Sequence, residues 1–364
     1  MIFSFPKLHK LANLSVVGVD IQAIAAAVPQ KTVSNTDAIV LQTDQERQHF
    51  IKNVGIAHRR LASKQITAAD LCQAAAERVL QQLDWDREEI NVLCLVTQTP
   101  DYLTPCTATL LQDRLGISQS CLCFDINLGC SAFPYGLATV SSILQAMPGA
   151  KGLLLIGDKS SQLVSPTDKS TALLFSDAGS AVALANTGST HHMHFGLFSD
   201  GSGYQHLMVK GGGGRHPVDT NSLKIKKIKQ GIERHELHLE MNGIAIFNFA
   251  IKQVLPTVRQ LLKDQDITVE AIDFFVFHQA NRIINESLRK MLNIPKEKYP
   301  SVLHEFGNPS SASIPLTIVQ QLGTSLEHGS YQLLASGFGV GLSWGNVLFT
   351  LKDLPAIPLI EISE

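Results

Sequence analysis

The chain predicts an α/β fold built from two similar halves, on three observations. Continuous apolar runs of strand length alternate with helical stripes from one end to the other. The strongest runs, Val92–Val96 and Leu153–Ile156, carry no polar alternation, as central strands covered on both faces require. In each half a buried run also ends on a chemistry-bearing side chain, Cys130 in the first and His278 in the second. A duplicated unit divided at residues 185/186 follows, giving halves 1–185 and 186–364.

In chain order, alternation around Val16–Ile21 reads as a first strand. Lys7 and Lys10 ahead of that apolar stretch resemble a secretion leader, but Asp20 and Gln22 break its would-be core, so a cytoplasmic protein is expected. Leu71, Ala75, Val79 and Leu83 form a buried helical stripe. The run Phe124–Leu128 leads into Cys130, and Leu137, Val140, Ile143 and Leu144 mark a helix beyond it, with Pro134 tolerated only in its first turn. The sulfur is thereby placed at a helix N-terminus, where the dipole favours thiolate over thiol. Ile272–Phe277 is a second buried strand, Ile283–Leu292 a helix and Tyr331–Ala335 another strand.

Thirty basic and 32 acidic residues give a net charge of −2, which leaves no broad basic field for nucleic acid or an anionic membrane, and no apolar run reaches spanning length. All six cysteines fall in the first half, mostly in apolar runs of a large chain, and read as reduced thiols. Cys121 and Cys123 face one way on a strand; without a second ligand pair they read as core thiols rather than a metal pair. His191, His192 and His194 lack companion ligands and read as an inter-strand segment. Gly211–Gly214 lacks a phosphate-loop ending and reads as a surface excursion.

Four segments carry the chemistry. They are Asp125-Ile126-Asn127-Leu128-Gly129-Cys130, His278-Gln279-Ala280-Asn281, Gly307-Asn308-Pro309-Ser310-Ser311-Ala312-Ser313-Ile314-Pro315, and the glycine-rich Gly337–Gly345 that ends in Trp344-Gly345. Singly, each has a plain structural reading: a buried thiol, a core histidine, a turn-forming asparagine. Taken in order, they resemble the ketoacyl synthase III family of the thiolase superfamily, over roughly residues 15 to 352.

That resemblance implies a thiolase-like α-β-α-β-α layering and a homodimer. It implies that Cys130 takes an acyl group from a thioester, and that His278 and Asn308 stabilise the enolate of a decarboxylating malonyl-type thioester. It further implies that the backbone N–H groups of Cys130 and Val340 form a second oxyanion site. Thr104, Phe247, Gly243, Asn281, Phe50 and Gln162 fall at substrate-binding places. No cofactor or metal is required. The resemblance leaves the acyl thioester open between coenzyme A and an acyl carrier protein, and transfer to another O, N or C nucleophile is the alternative reaction. Phe50 and Gln162 stand where relatives sandwich adenine with Trp and Arg, which counts against ordinary coenzyme A priming. Arg282 is shifted by one position from the family's carrier-contacting Arg, a rotation of about 100° on a helix. Thr104 stands where relatives have a bulky Phe that closes the acyl pocket, so a longer or wider acyl chain is expected.

Overall fold

The computed structural model describes residues 13–363; Lys7 and Lys10 lie outside them. Eleven strands build two main sheets: β1 (Asn13–Val17), β2 (Val19–Pro29), β3 (Ile90–Val96), β4 (Leu122–Ile126), β5 (Lys151–Lys159), β6 (Asp177–Asn186), β7 (His192–Ser199), β8 (Phe274–Phe277), β9 (Ser330–Gly339), β10 (Ser343–Lys352) and β11 (Ile360–Ile362). The first sheet runs β11-β2-β6-β5-β3-β4 and the second β1-β7-β10-β9-β8. Within the first, β2/β6 and β6/β5 are antiparallel and β5/β3 parallel. The same order and orientations return as β7/β10, β10/β9 and β9/β8. Two edge strands cross between the sheets: β1 pairs with β7, and β11 pairs with β2.

Among the described residues the α-helices are α1 (Asp44–Val54), α2 (Ala68–Leu83), α3 (Thr107–Arg114), α4 (Ala132–Gln145), α5 (Gly243–Phe249), α6 (Leu255–Asp264), α7 (Arg282–Met291), α8 (Leu303–Phe306) and α9 (Ser313–Leu322). Helix α2 starts where Thr67 and Asp70 close a reciprocal capping box, satisfying two otherwise unpaired N–H groups. Its stripe covers the outer face of the first sheet with α3. Helix α6, with α5 and α7 nearby, covers the outer face of the second.

Helices α4 and α9 lie between the sheets, giving five layers. Along α4, Phe133, Leu137, Val140 and Leu144 are fully buried, each contributing about 1.5–3 kcal/mol relative to exposure. That packing fixes where α4 begins, and so fixes the residues just ahead of it. His191–His194 falls at the start of β7, with the His192 and His194 rings stacked 5.5 Å apart. Gly211–Gly214 lies outside the strands and helices, and all six cysteines are free.

Candidate active site

Cys130 follows β4 and stands two residues ahead of α4, with Ser131 at the helix start. The Ser131 hydroxyl meets that of Ser343 at 2.7 Å, and the Ser343 hydroxyl donates to the Val340 carbonyl at 2.7 Å. These bonds pin the turn after β9 against the helix N-terminus. Backbone then reaches the sulfur directly: the N–H groups of Val340 and of Cys130 itself both interact with it. The approach leaves no room at Gly339, where an added Cβ would lie 2.7 Å from the Cys130 Sγ.

Burial and the nearby Asp158 charge outweigh these donors and push the Cys130 thiol up to about 11. The dipole argument from sequence placed the sulfur at the helix start, where it is, yet the resting group is a thiol. Burial of an anion costs more than one helix end returns. Iodoacetamide reacts with the thiolate, so labelling of Cys130 should climb about tenfold per pH unit from pH 7 to 10. Peptide mass spectrometry separates Cys130 from the other thiols, and a plateau below pH 8.5 contradicts the buried-thiol description.

His278 continues β8 by one residue, its N–H donating to the Ser336 carbonyl at 2.8 Å. Its Nδ1 lies 2.7 Å from the Ser313 hydroxyl, and the Phe338 ring packs edge-on at 5.6 Å. Burial drives its pKa down to about 3, which leaves the imidazole neutral near pH 7 and able to donate an N–H.

Asn308 follows α8 and Gly307. Gly307 takes φ +60°, and a side chain there would press the Leu174 carbonyl at 3.0 Å. Main-chain bonds from Asn308 N–H to the Leu174 carbonyl (2.9 Å) and from Ser176 N–H to the Asn308 carbonyl (3.0 Å) lock the residue to the segment before β6. Its Oδ1 accepts the Ser310 N–H at 2.9 Å, which commits the Nδ2 end of the amide to donating.

Ser310 is the common neighbour. It bonds Asn308 through its N–H, its backbone carbonyl faces the His278 ring, and its side chain interacts with the Cys130 sulfur. Cysteine, imidazole and carboxamide therefore converge around one small residue, itself held at φ +47°. A left-handed serine is uncommon and marks a position the surroundings over-determine. Sequence reading passed over Ser310, although it sits inside a quoted motif. It also missed Asp158, whose signal was an acid placed directly after the buried run Leu153–Gly157.

A cavity of about 510 Å³ opens beside the sulfur, with Cys130, Asp158, Ser310 and Val340 at one end and apolar side chains including Leu207 and Leu239 along it. His278 and Asn308 are buried against Ser310 rather than lining this space. Thr104 is exposed, and it is the adjacent Leu103 that lines the cavity. Phe247 packs at the margin of the second sheet's outer core, Gly243 opens α5 at the surface, and Asn281 caps α7 by accepting the Ile284 N–H. Phe50 sits half-buried on α1 beside a separate cavity of about 670 Å³, whose lining does not include the exposed Gln162. Arg282 donates to the Lys52 carbonyl at 2.8 Å, tying α7 to the end of α1.

Comparison with known proteins gives consistent relatives. The family model for 3-oxoacyl-[acyl-carrier-protein] synthase III matches residues 124–201, and that for its C-terminal part matches residues 262–351. Beta-ketoacyl-[acyl-carrier-protein] synthase III of Streptococcus mutans is 32% identical over 330 residues, spanning 90% of this chain and 98% of the relative. Its counterpart from Geobacillus kaustophilus is 30% identical, over 91% and 98%. A crystal structure of 3-oxoacyl-(acyl-carrier protein) synthase from Burkholderia xenovorans superposes with a TM-score of 0.91 at 36% identity, covering 97% of this chain and 99% of that one. Geometry and relatedness agree, and the chain belongs to the 3-oxoacyl-[acyl-carrier-protein] synthase III family of condensing acyltransferases.

Proposed function

We propose that Cys130 accepts an acyl group from a thioester and that the bound group is then condensed with a malonyl-type thioester, with loss of carbon dioxide. The observation that carries this reading is the convergence of Cys130, His278 and Asn308 on Ser310. Exchange of an acyl group between two sulfurs is close to neutral in energy and keeps the acyl carbon electrophilic for the second step. Decarboxylation leaves an enolate whose oxygen requires donors. A neutral His278 and the Nδ2 end of Asn308 supply them, each worth about 3–4 kcal/mol of barrier. The N–H groups of Cys130 and Val340, already directed at the sulfur, serve the tetrahedral oxyanion formed there.

The apolar length of the cavity supports an acyl chain beyond two carbons, with Leu103 rather than Thr104 bordering it. Lys52, Arg282, Arg289, Lys290 and Lys296 gather around a surface cavity of about 970 Å³, which suits an acidic carrier protein delivering the thioester. Strand β4 is a sheet edge whose Leu122 is 50% exposed, which supports pairing with a second copy. No described helix is long and apolar enough to cross a membrane. The halves 1–185 and 186–364 are proposed as the repeated units, apart from the exchanged edge strands.

Intact-mass spectrometry tests the reading. Incubation with medium-chain acyl thioesters should add one acyl mass to the protein and none to Cys130→Ala. Subsequent malonyl thioester should remove that mass with stoichiometric carbon dioxide. Discharge without carbon dioxide would overturn condensation in favour of transfer to another nucleophile.

A further inference from the structure

The end of the cavity next to Cys130 holds a second ionisable group, and the chemistry so far gives it no part. Asp158 ends the buried strand β5 and is 1% exposed. Its Oδ1 accepts the Gln98 N–H at 2.7 Å and the Thr97 hydroxyl at 3.1 Å, and its Oδ2 accepts the Ser311 N–H at 3.2 Å. Among the described residues no cation pairs with it; the neighbouring Lys159 ammonium turns away to the Ser63 and Ile66 carbonyls. A buried carboxylate without a counter-ion is costly to keep.

Ser310 lines the same cavity as this carboxylate and the Cys130 sulfur, and its hydroxyl favours the charged form of each. Its Oγ is placed there by the left-handed backbone, close enough to Gly129 that a Cβ on that glycine would lie 3.3 Å from it. A hydroxyl in that position can accept from S–H while donating to carboxylate.

We infer that Asp158 is a positioning residue for proton transfer in the acylation step, acting on Cys130 through the Ser310 hydroxyl. As the sulfur attacks the thioester carbon, the S–H proton passes to Ser310 Oγ and the Ser310 proton passes to Asp158. The Cys130 S–C bond forms and the donor's C–S bond breaks. The proton then returns by the same path to the departing thiolate, which leaves as a thiol. No net proton is gained or lost, and the carboxylate is regenerated. This role answers the state of the nucleophile: Cys130 rests as a thiol in a buried site and needs an acceptor close by. Burial also holds the Asp158 carboxyl above the usual carboxylate range, making it a better acceptor than a surface aspartate.

The inference rests on the acyl-Cys130 reading, and the pH dependence of acylation tests it separately. The full-length protein is acylated in single turnover with S-octanoyl-N-acetylcysteamine from pH 7 to 10. Asp158→Asn should slow the reaction roughly 100-fold at pH 7, and the deficit should shrink toward pH 10, where more Cys130 thiolate forms without an acceptor. Ser310→Ala, which leaves three donors to Asp158 in place, should show the same pH-dependent deficit and serves if Asp158→Asn does not fold. A deficit that does not change with pH, or none at all, overturns the relay and leaves the carboxylate a structural anchor. Failure of the unmodified protein to take up the octanoyl group would instead overturn the acyl-Cys130 reading itself.

Discussion

Asn308→Asp should retain acylation of Cys130 within about tenfold while lowering malonyl decarboxylation by roughly 10³-fold. The substitution is nearly isosteric. An aspartate oxygen still accepts the Ser310 N–H that Oδ1 now accepts at 2.9 Å, so the left-handed serine keeps its anchor. The amide N–H that the proposed enolate would use is lost, with the 3.4 Å bond from Nδ2 to the Ala280 carbonyl, and a carboxylate replaces it with like charge. Removing one such donor costs about 3–4 kcal/mol of transition-state stabilisation, and charge repulsion adds to it. Parallel measurement of acyl loading by intact mass and of labelled carbon dioxide release checks the split. Equal loss of both steps would place Asn308 in the scaffold rather than in the second half-reaction.

Gly339→Ala should have a comparable effect on the other half-reaction. An ideal Cβ there falls 2.7 Å from both Cβ and Sγ of Cys130, closer than side-chain carbons are found in proteins. Neither partner can yield cheaply. Gly339 ends a strand paired to β10 through Ser343, and Cys130 is fixed by the start of α4. The sulfur must rotate out of line with the Val340 and Cys130 N–H groups. Misplacing a nucleophile by about 1 Å can cost roughly 100-fold, which is the expected fall in acylation rate. Overpacking should also lower stability by about 1–3 kcal/mol in a urea titration. Unchanged acylation would show that the turn after β9 is free to move away from the sulfur.

The sequence disclosed the site unevenly, for physical reasons. Cys130 and His278 were legible because each follows a continuous apolar run that gives way to a turn or helix, and such strand ends are where α/β folds collect their chemistry; Asn308, in the turn after the short helix Leu303–Phe306, was legible only through the motif around it. Ser310 was hidden by its smallness: a serine beside glycine, asparagine and proline reads as turn material. Its importance comes from three partners distant in the chain. Asp158 was hidden because an acid at the end of a strand ordinarily faces water, and here segments distant in the chain, around Thr97–Gln98 and Ser311, enclose it. The protonation of Cys130 was misread for a related reason. The helix end ahead of α4 is local and visible, whereas its burial is imposed by Gly339 and Val340, more than two hundred residues on. At Thr104 the pattern matched but the side chain does not border the cavity; Leu103 does. Alternation and apolar runs located the central strands, but no periodicity shows that Asn13–Val17 will lie against His192–Gly196.

That crossing of edge strands bears on how the molecule can be taken apart. A fragment stopping at residue 185 would carry Asn13–Val17 with nothing to receive it, and would lack Ile360–Ile362 to shield the outermost backbone of its own sheet. Each fragment would therefore present a raw hydrogen-bonding border to solvent. On the ribosome the first sheet stays unfinished until Ile360–Ile362 has been made, so its outer border closes only after both halves have been synthesised.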